Sequence, residues 1–232
     1  MKEKIALVLN VIQTLALILI LVVLVTNRKE PKPNQVTAQL EAHYKNPEPV
    51  KLTGTDAIWG NKDAPTTVVA FVDYQCPYCK DLYKNLKEIE KDYIETGKVK
   101  VIFRDLPLKM HEHSRELATL VECARQQGKF WQMADLILSP KEKYDSTQLI
   151  QWEGQLGLNP EEMATCMNDK KTLDAVLADI KDAKSRKLTG TPAVFINDVF
   201  YRGTIPASDL KAIFDGKKVA RRTQKSGACG QK

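Results

Sequence analysis

The chain has 232 residues, 43% of them hydrophobic and 28% charged, a composition that excludes wholesale disorder and leaves ample material for a buried core. Its formal net charge of +6 misleads, because the stretch after Asp215, GKKVARRTQKSGACGQK, carries six Lys and Arg and no acid. The remainder is balanced, and with no basic stripe interleaved with aromatics nothing points to nucleic acid.

Ile5 to Thr26 reads IALVLNVIQTLALILILVVLVT and carries no charge. About 20 apolar residues span a bilayer. The run is long and no small-x-small cleavage site follows it, so residues 1–26 are expected to be a retained transmembrane anchor, with a cleaved signal as the alternative. Lys2 and Lys4 before it, and Arg28, Lys29 and Lys32 after it, do not settle the orientation. Residues 27–49 hold four prolines among mixed charges and read as a linker, with room for a short helix around Val36–Tyr44.

A globular domain is expected over residues 50–216. TTVVAFVDY, Thr66 to Tyr74, is almost wholly β-branched or apolar, as in a strand buried on both faces. Pro77 to Thr96 reads as one helix, with Leu82, Leu86, Ile89 and Tyr93 on one side and Gly97 as its stop. KVKVIFRDLPL is a second strand, and strand–helix–strand implies parallel pairing. Helical spacing then recurs at Leu117, Leu120, Val121 and Ala124, again at Phe130, Met133, Ala134 and Ile137, and again at Leu173, Val176, Leu177 and Ile180. Asn159-Pro160 starts a helix as N-cap and first helical residue. TPAVFINDVFYRG returns to strands around a turn at Asn197–Asp198, and PASDLKAIFDG closes the domain as a helix. The order is β–α–β, an all-helical block over about residues 111–187, then β–β–α. Residues 217–232 read as a basic, disordered tail.

Five cysteines are present, and two of them form the C-x-x-C of DYQCPYCKDL. Such a pair is compatible with a metal, a structural brace or electron exchange. Cys76 falls where a buried strand gives way to a helix whose first residue is Pro77. Free N–H groups and the macrodipole there favour an anion, so the Cys76 thiol should ionise below about 8.5. Cys79 lies three residues on, at a separation a disulfide tolerates. Cys76 then reads as the exposed attacking sulfur and Cys79 as the shielded resolving one. A zinc site needs two further ligands, and Cys123, Cys166, His111 and His113 are not at the spacing of a second pair. A brace between Cys76 and Cys79 would close too small a loop to stabilise much.

PTTVVAFVDYQCPYC, then ECARQQGKFWQM, then ATCM, then GTPAVFIN together resemble the DsbA-like thiol:disulfide oxidoreductases of the thioredoxin superfamily, in particular the membrane-anchored or secreted bacterial branch. The resemblance covers about Val50 to Phe214. It implies an α/β thioredoxin fold with an all-helical insertion between the β-α-β and β-β-α halves. It also implies a cis Thr191–Pro192 peptide beside the redox pair, with Thr191, Pro192, Pro77 and Tyr78 at the substrate. Some relatives join cysteines equivalent to Cys123 and Cys166, so a structural disulfide is expected there, against the alternative of two buried thiols. That bond calls for an oxidising compartment and puts the domain outside the cytoplasm. One departure stands out: where many members carry a buried acid, six residues before the first cysteine, this chain has Ala70. Asp73 and Asp81 are nearer in sequence.

The expected function is a membrane-tethered thiol:disulfide oxidase that forms disulfides in exported proteins. By analogy it would be re-oxidised by a membrane quinone-linked partner of the DsbB or vitamin-K-epoxide-reductase type. No cofactor and no metal are expected. The alternatives are a disulfide reductase or isomerase, and a tethered metal-binding module using the cysteine pair. Tyr74 and Tyr78 could line an apolar substrate surface. His111 and His113 read as helix-entry residues, Phe130 and Trp131 as packing residues, and Cys229 as a mobile thiol without a role, against the alternative of an intermolecular disulfide.

Overall fold

The structure is a computed structural model, and it describes residues 48–139, 145–197, 199–217, 219 and 228–230, with positions 13, 16, 17 and 19 of the first stretch. The chain divides into two units, residues 1–42 and 43–232. Of the first, the four described positions are helical. Apart from those four positions, the expected span at Ile5 to Thr26 lies outside the described residues, as do most of the linker with its short helix, Asp198 of the expected turn and most of the basic tail. Among the described residues no helix is long and apolar enough to cross a membrane.

The second unit is built on a sheet of five strands: β1 (Ile58–Trp59), β2 (Thr66–Val72), β3 (Val99–Asp105), β4 (Ala193–Ile196) and β5 (Val199–Arg202), in the order β1-β3-β2-β4-β5. β2 and β3 pair parallel, as their helical crossover requires, and the other neighbours pair antiparallel. β2 is central, which is why its apolar run is unbroken: Val68, Ala70 and Val72 enter the core beneath one helical layer, while Val69 and Phe71 enter a second core with Phe195, Ala183 and Leu188. β1 is too short for sequence periodicity to reveal.

The helices are α1 (Pro77–Glu88), α2 (Ser114–Gln126), α3 (Phe130–Leu138), α4 (Ser146–Gln155), α5 (Pro160–Met167), α6 (Lys170–Ser185) and α7 (Ala207–Phe214). α2 to α6 form the helical insertion between β3 and β4. Asn159 caps α5 by accepting from the N–H groups of Glu161 (2.9 Å) and Glu162 (3.1 Å). α4 was not singled out by its pattern; its start is set by Asp145, whose carboxylate accepts from the Gln148 N–H at 2.9 Å. In α6 the buried face runs through Thr172, Val176 and Ala183, so Leu173 and Leu177 of the expected stripe are exposed. Arg104 of β3 ties that helix to the sheet: it is buried, and its guanidinium binds Asp179 at 3.0 Å and Asp56 at 2.9 Å.

Three expected boundaries move for identifiable reasons. The helix expected to reach Thr96 ends at Glu88, and a π-helical turn, Glu90–Ile94, follows. The wider turn lets Ile89, Tyr93 and Ile94 all reach the core. The two expected strands also stop early, at Val72 and Asp105. Beyond them the Asp73 N–H turns to the Cys79 sulfur (3.4 Å) and the Leu108 N–H to the Asp73 carboxylate (2.7 Å), leaving the ladder.

Candidate functional site

The site is assembled where β2 ends. After Val72 the chain turns at Asp73, and the Cys76 N–H closes that turn on the Asp73 carbonyl at 3.0 Å. Cys76 is the N-cap of α1, in extended backbone, with Pro77 as the first helical residue. The first turn of α1 holds no acidic side chain and no side chain caps it. Its positive end is therefore offered to the Cys76 sulfur, as the sequence implies.

The sulfur's partner is not the expected one. Cys76 is joined to Cys229, 153 residues away, and Cys79 is a free, buried thiol. Cys76 is accordingly 0% exposed rather than open to attack. Cys229 is not a mobile thiol: it pairs as an antiparallel bridge with Thr191. The Thr191 N–H donates to the Cys229 carbonyl (2.9 Å) and the Cys229 N–H to the Thr191 carbonyl (2.6 Å). The Thr191–Pro192 peptide is cis, and the Cys76 sulfur lies 3.4 Å from the Thr191 carbonyl oxygen. Cys123 of α2 and Cys166 of α5 form a second disulfide.

Burial pushes the Cys79 thiol up to about 12, and the nearby Asp73 charge pushes the same way. The Asp73 N–H and the Thr191 hydroxyl, which is close but makes no well-aligned hydrogen bond among the described residues, only temper the rise. Ala70 is wholly buried in the same core as both sulfurs, so β2 offers no proton acceptor from that position. Asp81 is exposed. Because the folded thiol holds its proton more tightly than the unfolded one, its contribution to stability is lost as pH climbs from about 9 toward about 12. Native alkylation of Cys79 by iodoacetamide is expected to quicken roughly tenfold per pH unit through pH 10, and to trail an ordinary thiol by about 1000-fold at neutral pH. A plateau near pH 9, followed by mass spectrometry, would show that burial does not hold this thiol neutral.

A family model described as Thioredoxin matches residues 52–216. The chain belongs to the thioredoxin family. Its relatives include a Rickettsia felis protein named "Putative protein-disulfide oxidoreductase", 30% identical over 179 residues that make up 72% of this chain and 64% of that protein. They also include the Na(+)/H(+) antiporter NhaA 3 of Salinispora tropica, 29% identical over 68% of this chain and 24% of the antiporter. The chain thus spans about a quarter of the length of that antiporter. The same fold is seen in BdbD from Bacillus subtilis (TM-score 0.64, 22% identity, 75% of this chain and 97% of that one). It is seen again in Wolbachia pipientis alpha-DsbA1 (TM-score 0.63, 24% identity, 71% and 92%).

Within this thioredoxin domain the remaining expected residues separate. Pro77 and Tyr78 are exposed beside Cys76, whereas Tyr74 is wholly buried and cannot line a surface. Thr191 is buried beneath the Cys229 segment. Phe130 is buried, and Trp131 stacks with Trp59 (5.3 Å) and Phe103 (4.9 Å), as packing residues do. His113 takes the N-cap position of α2. His111 instead joins Asp73, which is the residue sequence reasoning underrated. The Asp73 carboxylate, 1% exposed, accepts from the Gln75 N–H (2.8 Å), the Leu108 N–H (2.7 Å) and the Ser114 hydroxyl (2.7 Å), and meets His111 Nδ1 at 2.9 Å. An aspartate at the end of a buried strand, three residues before a helix-capping cysteine, was the available signal. Among the described residues no group of three or more His, Cys, Asp or Glu is placed to hold a metal ion.

Proposed function

We propose that the chain is a membrane-tethered thiol:disulfide oxidoreductase that works as an oxidase on exported proteins. The observation that carries this reading is a cysteine-bearing segment hydrogen-bonded to Thr191 while its sulfur is bonded to Cys76 at the α1 N-terminus. An extended substrate can use the same backbone groups, as an added strand would. A substrate thiolate attacks Cys76 of the Cys76–Cys79 disulfide, Cys79 leaves as a thiolate that takes up a proton, a mixed disulfide forms, and the substrate's second thiolate displaces Cys76. Two electrons pass to the protein and the substrate gains its disulfide. Cys76 leaves as a thiolate stabilised by the helix end, which favours the reduced enzyme and makes the oxidised one a strong oxidant. Thr191, Pro192, Pro77 and Tyr78 form the substrate platform.

The relatives named for disulfide oxidoreduction support this reading over a metal-carrying module. The span at Ile5 to Thr26 supports the tether, and the Cys123–Cys166 disulfide supports an oxidising compartment outside the cytoplasm. Re-oxidation is assigned to a membrane quinone-linked partner of the DsbB or vitamin-K-epoxide-reductase type. The test is a Cys79→Ala chain made in a Cys229→Ser background, so that Cys76 is neither resolved nor capped. It is expected to accumulate mixed disulfides with exported proteins, and the same chain with Cys76→Ser to accumulate none. Equal, negligible trapping by both sinks the reading. A redox potential near the DsbA value of about −120 mV marks an oxidase, and one near about −270 mV a reductase.

A further inference from the structure

We propose that Cys229 is a third redox cysteine: it caps the site in the place of a substrate, and passes its bond on Cys76 to Cys79 when the site opens. The inference rests on thiol–disulfide exchange at Cys76, as proposed above. Three observations carry it. The sulfur of Cys229 is bonded to Cys76, so it occupies the reacting position itself. Its backbone spends both hydrogen-bonding groups of Thr191, one N–H and one carbonyl, on a strand-like pairing. The approach of the two segments also requires glycine on each side. Gly230 has φ +87°, and a Cβ there would lie 2.6 Å from the Thr189 carbonyl oxygen and 3.0 Å from Gly190 Cα. A Cβ on Gly190 would run into the Cys229 carbonyl oxygen. ACG at 228–230 is thus fitted to TGT at 189–191, backbone against backbone.

The exchange balances within the protein. The Cys79 thiolate attacks the Cys76 sulfur, the Cys76–Cys79 bond forms and the Cys76–Cys229 bond breaks. Cys229 leaves as a thiolate and takes up the proton that Cys79 gave. One disulfide and one thiol stand on each side, so no outside oxidant is needed. Departure of Cys229 frees the Thr191 N–H and carbonyl. Exposure of the substrate strip and formation of the Cys76–Cys79 bond are then one event. Burial of Cys79 beside Asp73 keeps its thiol protonated, so the capped form persists until residues 228–230 part from Thr191.

The test uses the full oxidised chain, acid-quenched, alkylated after denaturation and mapped without reduction by mass spectrometry. Wild type is expected to show Cys76 bonded to Cys229 with Cys79 alkylated. Gly230→Ala is expected to move the population toward Cys76–Cys79, with Cys229 alkylated, by at least tenfold. Cys229→Ser is expected to oxidise a dithiol peptide at least tenfold faster than wild type in the initial phase. If wild type carries Cys76–Cys79 with Cys229 alkylated, and neither variant differs from it, the proposal is overturned while the oxidoreductase reading stands. If the Cys229→Ser chain, uncapped and oxidised, does not react with the dithiol peptide at all, the oxidoreductase reading falls and this proposal with it.

Discussion

Asp73→Ala is expected to destabilise the domain by about 3–5 kcal/mol. The carboxylate is buried, and its removal strands two backbone N–H groups, those of Gln75 and Leu108, together with the Ser114 hydroxyl. Each buried donor left without an acceptor costs about 1–3 kcal/mol. His111 is the least affected partner, because its side chain is 15% exposed and can turn to water. The same change removes a negative charge that pushes Cys79 up, so the thiol of the variant should titrate below about 12. Denaturant unfolding reads the first effect and the pH dependence of Cys79 alkylation the second. A loss of under about 1 kcal/mol, with the Cys79 titration unmoved, would show that Asp73 does not organise this loop. The two readouts separate a general loss of packing from a change felt at the sulfur.

Cys123→Ala with Cys166→Ala is expected to cost about 4 kcal/mol in the chain-entropy model, since the bond joins residues 43 apart in sequence. For a domain of this size that amounts to a fall in melting temperature of roughly 8–16 °C. Both sulfurs are in the helical insertion, on α2 and α5, and both are buried. Alanine at each position removes a little apolar volume, and the Thr172 hydroxyl, which loses the Cys166 sulfur at 3.2 Å, still accepts from the Gln126 amide at 3.2 Å, so loop closure is the main quantity measured. Thermal unfolding of the double variant beside wild type checks it. Reduction of wild type is a poorer comparison, because it also opens the Cys76–Cys229 bond. A melting temperature within about 2 °C of wild type would show that packing of the insertion, not its crosslink, sets the stability.

The helix-capping position of Cys76 was legible because everything that sets it is local. An unbroken apolar run makes β2 a central strand, and Pro77 starts α1 in the next few residues. The Asn159 cap and the alternation of strand and helix were legible for the same reason. The strand β1 was not, because two residues carry no period. The π-helical turn was missed because Tyr93 already satisfied an α-helical stripe, and only the core shows that Ile94 is buried as well. The role of Asp73 was hidden in its partners Leu108, His111 and Ser114, which lie 35 to 41 residues further along the chain.

By itself the sequence determined the order of strands and helices, the seat of Cys76 at a helix's positive end and the shielding of Cys79, since short-range periodicity, proline geometry and helix termini are properties of a few neighbouring residues; the thioredoxin fold followed from the resemblance of its motifs to a known family. Tertiary structure alone decided which sulfur Cys76 holds. That choice depends on two backbones meeting at Gly190 and Gly230, which brings the Cα atoms of Cys76 and Cys229 to 6.0 Å across 153 residues of chain. A contact of that kind is created by the whole fold, and no local pattern of residues encodes it.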